Sequence, residues 1–256
     1  MTITGRTAPT GGIRMDPLRR TAFLGGALYL ITFTASIPAL FVLDPVLSDP
    51  NYILGSGADT RVLFGGLLDI VNALACIGTA VVLFPVVRRQ NETLALGFVT
   101  SRMLEAAIIC IGVVSLFAVV TLRQDLAGAP GADTDALSTT AAALVAVRDV
   151  TFHVGPGVMA AVNALLLGSL MYRSGLVPRI IPVTGLIGAP LLLAAKIATV
   201  YGVNDEVSLW SAIALAPIFF WELSLGVWLV LKGFKPSPIT AGNTPSGAVP
   251  GDLSRA

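Results

Sequence analysis

Six long apolar stretches alternate with short polar ones along the chain, at roughly residues 21–43, 62–87, 94–122, 141–172, 179–201 and 207–231. About 20 apolar residues cross the hydrocarbon core of a bilayer as a helix, and a helix satisfies its own backbone amides there. The pattern therefore predicts an all-α fold, a polytopic integral membrane bundle of six transmembrane helices. The first stretch follows Arg14, Arg19 and Arg20, as in a signal peptide. Its apolar run from Thr21 to Leu43 exceeds the roughly 7–15 residues of a signal core, which makes it an anchor. Residues 17–235 then form one six-helix transmembrane domain. Residues 1–16 and 236–256 are rich in Gly, Thr, Pro and Ser and read as disordered tails. Asp133 to Ala142 is expected to extend the fourth span as a helix beyond the membrane.

The basic residues give the predicted bundle a direction. Arg6, Arg14, Arg19, Arg20, Arg88, Arg89, Arg173, Arg179, Lys232, Lys235 and Arg255 fall on one side, 11 in all, against Arg61 and Arg123 on the other. Positive loops stay in the cytoplasm, so both termini are expected there. The opposite loops are acidic, with Asp44, Asp49, Asp59, Asp125, Asp133, Asp135, Asp205 and Glu206.

Composition agrees. The chain is 55% hydrophobic and 12% charged, with a mean hydropathy of +0.84. A soluble domain carries about 25% charged residues, so the lipid bilayer is the first partner. A net charge of +1 gives no reason to expect nucleic acid. Cys76 and Cys110 each lie mid-span and read as small buried hydrophobes. The glycine pairs Gly25-Gly26, Gly65-Gly66 and Gly185 with Gly188 are expected where helices approach closely. There is no phosphate-binding loop, zinc-protease motif, nucleophile elbow or CxxC. One histidine cannot build a His-rich zinc or bis-histidine haem site, so no cofactor and no metal are expected.

The residues that stand out are ionisable ones inside spans: Asp69, Arg102, Glu105, Asp149, His153, Lys196 and Glu222, with Asn72 and Asn163 beside them. A charge at mid-bilayer costs about 2.5–3.5 kcal/mol on insertion scales, so these side chains should face inward and pair. Arg102 and Glu105 are three apart and can bridge on one helix. Asp149, His153, Pro156, Ala160, Asn163 and Leu167 share one stripe at helical spacing, and Asp69, Asn72 and Cys76 share another. Asp69, Asp149, His153 and Lys196 fall in the outer half. Glu105, Asn72, Asn163 and Glu222 fall near the middle, with Arg102 close by. Gly155-Pro156-Gly157 predicts a helix break beside His153, because proline lacks the amide that bonds the preceding turn. Each of these has a plain structural reading. Arg102 with Glu105 makes a buried bridge, Arg148 with Asp149 makes an interfacial pair, and Lys196 can snorkel. Asp69 and Glu222 lack a partner on their own helix and are the stronger functional candidates; Glu222 either borrows a partner from another span, Arg102 by depth, or is held protonated by desolvation.

Several stretches resemble a bacterial family of multi-pass membrane proteins known as domain of unknown function 4386. They are LFGGLLDIVNALACIG (Leu63–Gly78), SRMLEAAIICIGVVSL (Ser101–Leu116), FHVGPGVMAAVNALLLGSLMYRSGLVPRIIPVTGLIGAPLLL (Phe152–Leu193) and PIFFWELSLGVWLVLKGF (Pro217–Phe234). The resemblance covers about residues 20–235 and implies a six-span protein of the bacterial cytoplasmic membrane. Its pattern matches Asp69, Arg102, Glu105, Asp149, the Gly155–Gly157 break, Asn163 and Glu222. His153 departs from it, since the resemblance implies an apolar residue there. It implies no reaction. Two classes of function stay open. One is a permease-like protein whose carboxylates handle protons or a small polar solute. The other is a non-catalytic anchor or regulator of a membrane-protein partner. An intramembrane enzyme ranks third, for want of a nucleophile–base pair. A water-accessible cavity lined by Asp69, Glu105 and Glu222 favours the first class, and dry, mutually paired charges favour the second.

Overall fold

The computed structural model describes residues 16–55, 58–126, 129–131 and 133–241, all of them in helices, turns and connecting loops. The predicted tails 1–15 and 242–256 lie outside the described residues. Seven α-helices and one π-helical segment follow in order: α1 Pro17–Ser48, α2 Asp59–Val87, α3 Glu92–Leu126, α4 Thr134–Phe152, the π segment His153–Met159, α5 Ala160–Ser174, α6 Ile180–Val200 and α7 Leu209–Leu231. α4, the π segment and α5 run on as one 41-residue helical span, so six helices are long and apolar enough to cross a membrane. Large side chains such as Phe41, Phe64, Leu74, Val114 and Phe220 project outward around the bundle, as a lipid-facing surface requires.

Helix ends follow local rules. Asp133 caps α4, its side chain accepting from the amides of Asp135 and Ala136 at 3.1 and 3.0 Å, which starts the span well before its apolar core, as expected. Ser208 caps α7 by accepting from the Ser211 amide at 3.0 Å. α5 stops at Gly175, whose φ of 67° is the left-handed conformation that glycine tolerates, and its amide closes on the Met171 carbonyl.

The six spans close into a ring. α1 packs on α2, α2 on α3, α3 on the whole α4–π–α5 span, α5 on α6, α6 on α7, and α7 on α1. The glycine pairs sit at close contacts, as predicted. A methyl on Gly26 would stand 2.7 Å from the Gly226 carbonyl, and one on Gly185 would stand 2.7 Å from the Trp221 ring. At one end, here called the terminal end, Arg19 donates to the carbonyls of Leu229 and Val230 at 3.0 and 2.6 Å and joins α1 to the end of α7.

Residues 236–241 are a correction to the expected second tail. The chain turns under the terminal end, where the Lys235 amide donates to the Leu176 carbonyl at 2.7 Å and Arg89 donates to the Ile239 carbonyl at 3.3 Å. Phe234 and Ile239 pack on the main apolar core beside Ser237 and Thr240, which are buried. Composition signalled flexibility there, but two apolar side chains spaced five apart are enough to dock a short strap. At the opposite end, Arg123 donates from Nε to Asp59 at 2.7 Å and from Nη1 to the Gly55 carbonyl at 2.7 Å. Tyr52 donates to the same aspartate at 2.9 Å, which pins the α1–α2 loop to the end of α3.

Candidate functional site

The centre of the ring holds a cavity of about 490 Å³ to which α1, α2, α3, the α4–π–α5 span, α6 and α7 all contribute. Charged groups divide it into a deep cluster, a middle pair and a mouth. The deep cluster is built on Arg102, which is 2% exposed. Its Nη1 donates to Glu105 Oε2 at 2.9 Å and to Cys76 Sγ at 3.4 Å, and its Nη2 donates to Glu222 Oε1 at 2.9 Å. Asn163 Nδ2 donates to the same Glu105 oxygen at 2.7 Å. The guanidinium also lies over the rings of Tyr29 and Phe98, at 5.1 and 5.9 Å from their centroids. Four spans thus meet at one cation, the α4–π–α5 span joins them through Asn163 and Glu105, and α7 supplies Glu222 at a matching depth. One guanidinium faces two carboxyls, so the cluster has room for one more positive charge. Asn72, one turn from Cys76, lines the cavity beside it.

The middle pair is Asp69 with Arg148, Nη2 to Oδ2 at 3.3 Å, both buried. Here the structure corrects the expected stripe. Asp149 is exposed and does not line the cavity, while Arg148 takes the inward position. The cause is the π segment between them and Asn163. Its wider turn acts as one inserted residue, which rotates everything before it by about one position relative to a straight α-helix. Room for Arg148 comes from Gly112, where a methyl would stand 3.0 Å from Arg148 Cδ and 2.6 Å from Thr151 Oγ1.

The expected helix break is therefore a change of winding rather than a simple kink. Pro156 supplies no amide, and the flanking glycines let neighbours approach. Gly155 meets Ile108, and a methyl on Gly157 would stand 2.7 Å from Lys196 Cε. Lys196 lies across Gly157 and reaches the mouth, where it bridges Glu206 in the α6–α7 loop. His153 Nδ1 is 2.8 Å from the other Glu206 oxygen. Burial pushes the Glu206 carboxyl up, but hydrogen bonds from Lys196 and His153 outweigh it and hold the group below the ordinary glutamate range. Val207, next in the loop, lines the cavity and is 96% exposed, so the cavity reaches the surface at this end.

Of the twelve residues singled out from sequence, Asp69, Asn72, Arg102, Glu105, Pro156, Gly157, Lys196 and Glu222 line the cavity. Asn163 supports it through Glu105, His153 closes on it through Glu206, and Gly155 packs behind it. Asp149 stands apart. Arg148 and Glu206 were missed as site residues. Arg148 differs from its neighbour only by a rotation, and Glu206 lies in a loop that reads as one acidic loop among several. Among the described residues, no three His, Cys, Asp or Glu side chains converge in a metal-ligating arrangement.

A ring of six apolar spans around a charged internal cavity defines an integral membrane protein of the multi-pass helical class. The chain belongs to the family described as domain of unknown function (DUF4386), whose model matches residues 24–233 and so takes in all six spans and the whole cavity. No curated protein and no solved structure matches the chain.

Proposed function

We propose that this protein is a permease-like carrier of the bacterial cytoplasmic membrane, with both termini cytoplasmic, that binds a small solute in the central cavity and couples it to a proton or cation at the Arg102–Glu105–Glu222 cluster. One observation carries the reading. A cavity of ligand size, lined by every span, ends on a cluster with one carboxyl more than it has cations. Intramembrane carboxylates in wet cavities are characteristic of solute and proton pathways. With the 11 basic residues facing the cytoplasm, the mouth at Glu206 opens outward. At the terminal end Arg19 joins α1 to α7 and residues 234–241 pack beneath the spans. That arrangement corresponds to the outward-facing half of an alternating cycle.

A second reading has its own support. Asp69, Glu105 and Glu222 each have a cationic partner, as a purely structural anchor would need. A flux assay separates the two. Full-length protein in liposomes is expected to collapse an imposed pH gradient faster than empty vesicles when a metabolite extract is added. Glu222→Gln is expected to abolish this while leaving folding nearly intact. Wild-type protein that moves neither protons nor any metabolite would overturn the carrier reading in favour of the anchor.

A further inference from the structure

The cavity's charge and lining select a ligand class, an inference that deepens the solute-binding reading above. Arg148 balances Asp69, and Lys196 balances Glu206 at the mouth. Only the deep cluster is unbalanced, with Arg102 shared by Glu105 and Glu222. Of the three carboxylates that line the cavity within the spans, Asp69 and Glu105 are buried and Glu222 is only part-buried, which makes it the most available. Its side chain is 16% exposed, against 5% for Glu105 and 9% for Asp69. Arg102 bonds its Oε1, whereas Glu105 is already engaged by both Arg102 and Asn163.

Aromatic rings stand beside it. Phe219 lies three residues before Glu222, on the same face of α7. It meets Phe33 of α1 edge to face, with ring centroids 5.2 Å apart, and both rings line the cavity with Glu222. The walls around them are apolar, with Leu40, Leu192, Leu215 and Ile218. A carboxylate next to aromatic rings holds an ammonium by direct attraction and by the negative ring faces. Apolar walls favour an ammonium that carries hydrocarbon groups. An anion finds both guanidinium groups already taken by carboxylates. Uncharged polar side chains such as Thr32, Ser36 and Asn72 also line the cavity, but the walls of Leu40, Leu192, Leu215 and Ile218 offer a sugar only hydrocarbon. The volume of about 490 Å³ falls within the range of roughly 300–1,000 Å³ typical of small-molecule pockets.

We propose that the cavity is a binding site for a small lipophilic monocation, an aryl or alkyl ammonium, with its charged head against Glu222 and its apolar body against Phe33 and Phe219. The proton and the organic cation then compete for the same surplus carboxyl.

Titration calorimetry on the purified full chain tests this with benzyltrimethylammonium, whose charge is permanent and carries no proton. Its neutral isostere neopentylbenzene and the anion benzenesulfonate serve as comparisons. The cation should bind at least tenfold more tightly than the isostere, and the anion should not bind. Glu222→Gln should weaken the cation at least tenfold, and Phe219→Leu, which leaves every charge in place, should weaken it severalfold. Equal affinity for the isostere, undiminished cation binding in Glu222→Gln, or no cation binding by the wild type would each overturn the proposal. If Glu222→Gln does not fold, Phe219→Leu and the wild-type cation-to-isostere ratio decide it. Cation binding without any flux in liposomes refutes the carrier reading and leaves this site standing. Flux without cation binding does the reverse.

Discussion

Replacing Arg102 with Met removes the cation of the deep cluster. The side chain is 2% exposed and makes two charge-assisted bonds, both at 2.9 Å, to Glu105 and Glu222. Methionine replaces the apolar stem but not the guanidinium between Tyr29 and Phe98, so a void adds to the loss of charge. Breaking a buried ion pair by removing one partner costs about 3–5 kcal/mol, because the other charge is stranded. Here two carboxyls are stranded together. Ordinary hydrogen bonds between membrane helices average only about 0.6 kcal/mol, so a loss well above 1 kcal/mol marks stranded charge rather than a missing bond. The triple variant Arg102→Met, Glu105→Gln, Glu222→Gln leaves the same void but strands no charge, so it should recover the electrostatic part of the loss. Reversible unfolding in mixed micelles, titrated with SDS and followed by helical circular dichroism, measures both variants. A single variant that loses less than 1 kcal/mol, or a triple variant no more stable than the single, would refute the view that this cluster is a buried charge system.

Gly26→Ala should destabilise by about 1–3 kcal/mol through overpacking, because its methyl meets backbone at 2.7–2.8 Å on α7, whereas Gly25→Ala meets only the flexible tip of Leu83 and should cost less; thermal melting in detergent compares them. Glu206 titrates below its ordinary value of 4.5, so its contribution to stability is complete above that pH and is lost as the pH falls further. The melting difference between wild type and Glu206→Gln should therefore shrink as the pH falls from about 4.5 towards 3; a difference that grows in that acidic window would contradict the hydrogen-bonded mouth. For the orientation, reporter fusions after Arg89 and after Lys235 should report cytoplasm and a fusion near Asp133 should not, and an external signal at Lys235 would invert the proposed direction of the cavity.

Length and hydropathy settled the six spans, because each segment meets the bilayer as an independent helix and must satisfy its own backbone. The same local rules placed the helical extension from Asp133, the close glycine contacts and the depth match between Arg102 and Glu222, since rise along a helix is a fixed quantity per residue. Rotation about the helix axis was less secure. A straight-helix count put Asp149 on the inner face, and seven residues of π winding at His153–Met159 turned Arg148 inward instead. That winding depends on how Pro156 and its glycines pack against Ile108 and Lys196, which are contacts from other spans. Glu206 joins His153 and Lys196 only because the α6–α7 loop folds back over the mouth, and the strap at 236–241 is ordered only because the ends of the spans offer carbonyls and an apolar surface to receive it. Spans and depths are properties of one segment in its solvent, whereas charge partners and the cavity between them exist only once six segments close into a ring.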